Sequence, residues 1–242
     1  MQVRLQGYRQ IAFHQTDPAK AVAAVLLVSI VAFILVLGAG HTADSGEDED
    51  YRVRIMALID AGELDAALAD LSEVIEANPD DPAALWWGAM VHMKLGQYEE
   101  AIEKLDRVAE LAPVDPMVYF SRGLAFLHLG DDLSGQRQLD SFREGIENLD
   151  VAILLNPQYA EAYTLRGMLY NNLGQYTRAI EDLDKAILLN PDDAWAYAAR
   201  AAANFFTSNI LSARTDLFEA IGLDPKIYFA DSAFQRELLR SS

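Results

Sequence analysis

The side chains able to do acid–base, nucleophilic or metal chemistry are few and scattered. The chain has no cysteine, and its histidines are His14, His41, His92 and His128. No HExxH, no GxSxG and no glycine-rich phosphate loop occurs, so the familiar routes to a zinc site, an activated serine or a nucleotide cradle are missing. His92 and His128 lack the further ligands that a metal site needs. The acidic run Asp44, Glu47, Asp48, Glu49 and Asp50 lacks the ligand spacing and glycine of a calcium loop. What does recur is a charge pairing. Arg54, Arg166 and Arg200 are each followed, always at the same interval, by an acid, namely Asp70, Asp182 and Asp216. Such pairs make charge-assisted hydrogen bonds between two elements, a structural rather than a catalytic chemistry. No catalytic residue, metal ligand or cofactor is expected.

Positioning those pairs requires antiparallel helices, and residues 163–191 show how. Apolar or small residues recur at three- and four-residue steps from Tyr163 through Gly167 to Tyr170, and again from Tyr176 through Ala179 and Leu183 to Ala186 and Ile187. Gly174 breaks the run and Asn190-Pro191 ends it, which reads as helix, tight turn, helix, stop. The stops recur at Pro79, Pro113, Pro157, Pro191 and Pro225, evenly spaced except for one longer step between Pro113 and Pro157. Turn glycines are expected at Gly62, Gly96, Gly130 and Gly174, with Ser208 in the fifth place.

This pattern resembles the tetratricopeptide repeat (TPR) family of bacterial type, whose unit of about 34 residues joins a W-x2-L-G-x2-Y half to an A-x3-F half closed by proline. The second half stands here as Ala67-x3-Leu71, Ala101-x3-Leu105, Gly145-x3-Leu149, Ala179-x3-Leu183 and Ala213-x3-Leu217. The first half is best kept in Tyr163-x2-Arg166-Gly167-x2-Tyr170 and Tyr119-x2-Arg122-Gly123-x2-Phe126. The resemblance implies an all-α fold, a right-handed α-solenoid of about five helix-turn-helix units over residues 51–227. Where the family has leucine before glycine, four units here carry arginine, at Arg54, Arg122, Arg166 and Arg200. The second unit has Gly88 and Lys104 instead, lacking both partners, and in the third Asn148 stands where the acid would be. Joint presence and absence points to pairing within a unit, not across to the next. The third unit is the longer one, with an insertion near 131–140 expected as a protruding loop or extra turn, part of it lengthening the second helix.

Ahead of the repeats, residues 1–20 are polar and carry Arg4, Arg9 and Lys20. Residues 21–40 are apolar throughout, with Ser29 the single side chain able to hydrogen-bond. A run of this length at helical rise matches a bilayer's hydrocarbon thickness. A single transmembrane helix is expected, with its N-terminus cytoplasmic by the basic flank and the repeats extracytoplasmic. A cleaved secretion signal is the rival, disfavoured by the length of the apolar run. Residues 41–50 read as an acidic flexible linker, and residues 228–242, with Tyr228, Phe229, Phe234 and Leu238, as a capping helix and tail. The net charge of -18 argues against a nucleic-acid partner.

By the family resemblance the first helix of each unit lines the concave face. Its outward positions give a protein-binding groove of Trp86, Met90, Met93, Phe120, Leu124, Leu127, Met168, Asn171, Asn172, Phe205 and Phe206. Such methionine and aromatic side chains suit an apolar or amphipathic peptide or helix, or subunits of a membrane complex. The expected function is a membrane-anchored scaffold or docking protein. The alternatives are a non-catalytic accessory subunit of a membrane enzyme complex and a secreted or periplasmic peptide-binding chaperone.

Overall fold

The computed structural model describes residues 46–227, with side chains from residue 51 onward. The membrane segment expected at 21–40 and the capping helix expected at 228–242 lie outside the described residues. Within them the chain forms ten α-helices: α1 (Gly46–Ala61), α2 (Leu64–Ala77), α3 (Pro82–Lys94), α4 (Tyr98–Leu111), α5 (Pro116–Asp132), α6 (Gly135–Leu155), α7 (Ala160–Asn172), α8 (Tyr176–Leu189), α9 (Ala194–Phe206) and α10 (Ile210–Leu223). A 3-10 turn at Pro225–Ile227 follows, and the described residues contain no strand. α1 begins at Gly46, so the last residues of the expected linker are helical.

Each helix pair is made by the same local chemistry. Gly62, Gly96 and Gly174 hold φ of 78°, 74° and 72°, the left-handed conformation that reverses the chain between the paired helices at little cost for glycine. Ser208 takes the same turn in the fifth pair at φ 67°. Between pairs, Asp81 and Asp193 cap α3 and α9, each accepting from the backbone N–H groups two and three residues on. The second helices then bury a narrow seam of Ala67, Leu71, Ala101, Leu105, Ala179, Leu183, Ala213 and Leu217, none more than 1% exposed. Alanine at this seam lets neighbouring helices approach closely, and leucine fills the gap that remains.

The insertion in the third pair does not form a loop. α5 runs for 17 residues and α6 for 21, against 13 and 14 in α7 and α8. The extra length is absorbed as added turns on both helices, which keeps its backbone groups paired where an open loop would not. Gly130, expected as the turn, sits inside α5, and the positive φ of 65° has moved to Gly135. Gly130 has a packing role instead, for a Cβ there would lie 2.3 Å from Phe142 Cε1.

Residues 46–125 and 126–227 belong to two compact units. In the first, α3 packs on α2 and α4; in the second, α7 to α10 pack successively on one another. Gly167 of α7 shows how tight the seam is, because a Cβ at this position would lie 2.7 Å from Leu183 Cγ. Gly167→Ala gains the usual helix propensity of alanine but overpacks a fully buried leucine. The clash outweighs the gain, and a net loss of about 1–3 kcal/mol is expected by urea denaturation.

Candidate protein-interaction surface and arginine clamps

Arg166 of α7 reaches two helices at once. Its Nε and Nη2 donate to both carboxylate oxygens of Asp182 on α8, each at 2.7 Å, and its Nη1 donates to Asp150 on α6. Arg200 of α9 repeats the arrangement, donating to Asp216 of α10 through Nε at 3.0 Å and Nη2 at 2.7 Å, and to Asp184 of α8 at 2.6 Å. Burial depresses the Arg166 guanidinium, but Asp182 and then Asp150 more than offset this, so its pKa stands above the ordinary arginine value. Each arginine also lies over a tyrosine ring, Tyr163 and Tyr197 respectively. The arginines thus clamp three helices rather than two.

The first unit holds weaker versions. Arg54 Nε donates to Asp70, with half of the arginine side chain exposed, so this pair contributes about 0–1 kcal/mol. Arg122 pairs backward with Asp106 at 2.7 Å. In residues 126–227, Asn148, at the register of the missing acid, turns its amide to the Glu144 carbonyl. Where Gly88 replaces arginine, Lys104 takes up the room, its Cδ lying 3.1 Å from the position of a Gly88 Cβ.

The backward partners Asp106, Asp150 and Asp184 are not expected from the sequence, where pairing within a unit and pairing across units read as alternatives. Both occur, because the second helix presents two positions on either side of its buried leucine. These read Asp70-Leu71-Ser72, Lys104-Leu105-Asp106, Asn148-Leu149-Asp150, Asp182-Leu183-Asp184 and Asp216-Leu217-Phe218. Where an aspartate stands there, the first position takes the arginine of its own pair, as at Asp70, Asp182 and Asp216, and the second that of the next, as at Asp106, Asp150 and Asp184. The forward interval, counted backward from each arginine, was the available signal.

The expected groove divides in two. Trp86, Met90, Met93, Phe120, Leu124 and Leu127 are at most 5% exposed, so they form buried core rather than free surface. α3 is covered on every side, with residues 83–91 buried without interruption. Trp86 packs edge-on against Trp87, and its Nε1 donates to Ser121 Oγ at 3.2 Å. By contrast Met168 and Asn172 of α7 and Phe205 and Phe206 of α9 remain partly exposed. Phe206 stacks on Tyr176 at 5.1 Å between ring centroids and meets Phe205 edge-on at 5.5 Å. Asn171 is buried. Its Nδ2 donates to the Ala199 carbonyl at 2.8 Å, while its Oδ1 has no hydrogen-bond partner. α7 and α9 therefore present an aromatic and thioether surface.

Catalytic geometry does not assemble around any of these groups. The cleft at Arg166 is lined by Asp150, Tyr170, Arg178, Glu181 and Asp182, whose carboxylates outnumber its two guanidiniums. Among the described residues no three His, Asp or Glu side chains stand together as a metal site. His128 and Asp131, one turn apart on α5, titrate abnormally for a structural reason. Burial pushes His128 down to about 4, and burial, then the neighbouring Asp132, pushes Asp131 up to about 7.

These shifts act on stability with opposite signs. The lowered His128 value contributes stability that is full above 6.5 and is lost as pH falls towards 4. The raised Asp131 value contributes stability that is full below 3.8 and is lost as pH rises towards 7. The two nearly cancel between pH 4 and 6.5 in the native chain. Asp131→Asn removes one of them, so the variant's stability is expected to climb with pH across that window by about 1 kcal/mol per unit more than the native chain. Urea midpoints at three pH values check this.

Comparison with known proteins gives the paired helices their family. Tetratricopeptide-repeat family models match residues 53–116, 88–132 and 136–204, more than half of the chain. The chain belongs to the tetratricopeptide repeat family. Its repeats are 30% identical over 108 residues to the TPR repeat-containing thioredoxin TDX of Arabidopsis thaliana, across 45% of this chain and 26% of that protein. The chain thus spans about a quarter of the length of that relative. The crystal structure of MamA superposes with a TM-score of 0.59 at 25% identity, covering 70% of this chain and 94% of that one. A thermophilic TPR protein of Thermus thermophilus superposes at 0.63 with 24% identity, covering 79% and 97%. YrrB, described as a TPR protein with an unusual peptide-binding site, superposes at 0.57 with 19% identity, covering 77% and 90%. These last two likenesses speak for the TPR fold alone.

Proposed function

We propose that this TPR protein is a non-catalytic docking scaffold that holds a protein partner in a membrane-associated complex. The observation that carries this reading is the partly exposed Met168, Asn172, Phe205 and Phe206 surface of α7 and α9. Flat aromatic and thioether groups suit an apolar or amphipathic peptide or helix, which buries its side chains on the rings. YrrB supplies a precedent in being a TPR protein with a peptide-binding site.

Residues 21–40 would anchor the scaffold in a bilayer, with Arg4, Arg9 and Lys20 keeping the N-terminus cytoplasmic and the repeats on the opposite side. A photoreactive group at Met168, activated in intact membranes, is expected to capture a partner. Asn172→Ala with Phe206→Ala should abolish that capture while lowering the unfolding midpoint only modestly, by the lost ring contacts of Phe206 with Tyr176 and Phe205. Capture that survives the double substitution would count against this surface. Flotation of the full chain with liposomes separately tests the anchor.

A further inference from the structure

Every second helix turns a strip of side chains to solvent, and one register of that strip changes character along the chain. Glu76, Glu110, Leu154, Leu188 and Gly222 occupy it in the five pairs, and all five are exposed. The fold therefore asks for no apolar side chain there. Leu154 and Leu188 are nevertheless 78% and 74% exposed, and Leu155, beside Leu154, is 37% exposed. Large apolar groups held in water at equal register on neighbouring helices mark a docking surface.

α6 and α8 are neighbours, because Arg166 bonds Asp150 of one and Asp182 of the other. A cleft of about 440 Å³ at this junction is lined by Asp150, Tyr170 and Glu181 among others. Glu147 and Glu181 stand seven residues before the two leucines, about 10 Å along the helix axis. Both are exposed, and neither forms an ion pair among the described residues. One turn from each leucine, Asp150 and Asp184 give one oxygen to Arg166 and Arg200 and remain 54% and 59% exposed. The cations on the same strips compete weakly for these carboxylates, since Arg143 is bonded to Asp140, Arg178 to Gln175, and Lys185 is partly buried.

We propose that the groove between α6 and α8 docks a cationic amphipathic helix of a partner protein. That helix lays apolar side chains on Leu154 and Leu188 and sets lysine or arginine two turns away against Glu147 and Glu181. A helix fits because seven of its residues span the same distance as seven residues of α6 or α8. Charge selects the occupant. A second copy of this chain, with its net charge of -18, would bring like charge against the four carboxylates. The site lies on second helices and does not rest on the reading of α7 and α9.

The probe is a synthetic fluorescein-labelled helix with leucines and lysines seven positions apart, titrated with the full-length chain. Leu154→Glu with Leu188→Glu should weaken its binding by about tenfold or more, as should Glu147→Lys with Glu181→Lys. The urea midpoint of the leucine variant should stay in place, because glutamate is what the first two pairs carry at that register. A scrambled peptide of the same composition should also bind about tenfold more weakly. Equal binding of the scrambled peptide would overturn the proposal in favour of unspecific charge attraction, and unchanged affinity in either double variant would overturn it outright. Self-association of the full-length chain that disappears in the leucine variant would assign the face to a second copy and overturn it as well. Capture from Met168 should be unaffected in both variants, so failure of either reading is seen apart from the other.

Discussion

Trp86→Ala is expected to destabilise the chain by about 3–5 kcal/mol, the range for truncating a large aromatic side chain in a packed core. Trp86 has no exposed surface, meets Trp87 edge-on and donates to Ser121. Alanine would leave a cavity of indole size and strip the Ser121 hydroxyl of its partner, and α3 cannot collapse into the space because every one of its sides is packed. The urea midpoint should fall while the slope of the transition stays the same, as for a loss of native stability without a change in denatured-state compactness. This outcome separates a core residue from a groove residue. Were Trp86 a surface anchor for a partner, its removal would weaken capture and leave the midpoint unmoved.

Asp216→Ala carries the second large expectation, a loss of about 2–4 kcal/mol. The Asp216 side chain is 7% exposed, and its carboxylate accepts from Arg200 Nε, Arg200 Nη2 and Asn204 Nδ2. Removing one partner of a buried ion pair costs about 3–5 kcal/mol because the other charge stays behind uncompensated. Here Arg200 keeps Asp184 and is itself 20% exposed, which moderates the cost. Asp70→Ala in the first pair should cost no more than about 1 kcal/mol, since half of Arg54 faces water. The two variants share a register and a partner type, so the difference between their urea midpoints measures burial. The Asp216→Ala loss should also persist in high salt, whereas the small Asp70→Ala loss should shrink, because buried pairs are poorly screened.

Much of this architecture is local chemistry and was therefore open to reading. Stops at a regular interval, left-handed turn residues at Gly62, Gly96, Gly174 and Ser208, and an alanine and leucine seam on each second helix are each set within one helix pair. The forward partners of the arginines fall in the same class, since Arg166 and Asp182 belong to one pair. Gly130 shows where local reading stops. It occupies the turn register in the repeat count, yet the insertion let α5 run on, and the glycine is used to admit the Phe142 ring. Spacing records the position of a small residue but not which neighbour needs its smallness.

The composition and period of this chain were enough to establish paired helices, their number and the absence of a familiar catalytic motif, because helix, turn and stop depend on residues within reach of one another along the chain. Three matters depended on contacts between pairs. Asp150 and Asp184 became partners of arginines in the following unit, the insertion lengthened two helices, and Trp86, Met90 and Phe120 became core while Phe205 and Phe206 kept exposed area. An apolar residue on the inner side of a helix has the same periodicity whether water, a partner or another part of the chain lies against it. Burial is a property of what packs across the helix, and a one-dimensional pattern carries no term for that.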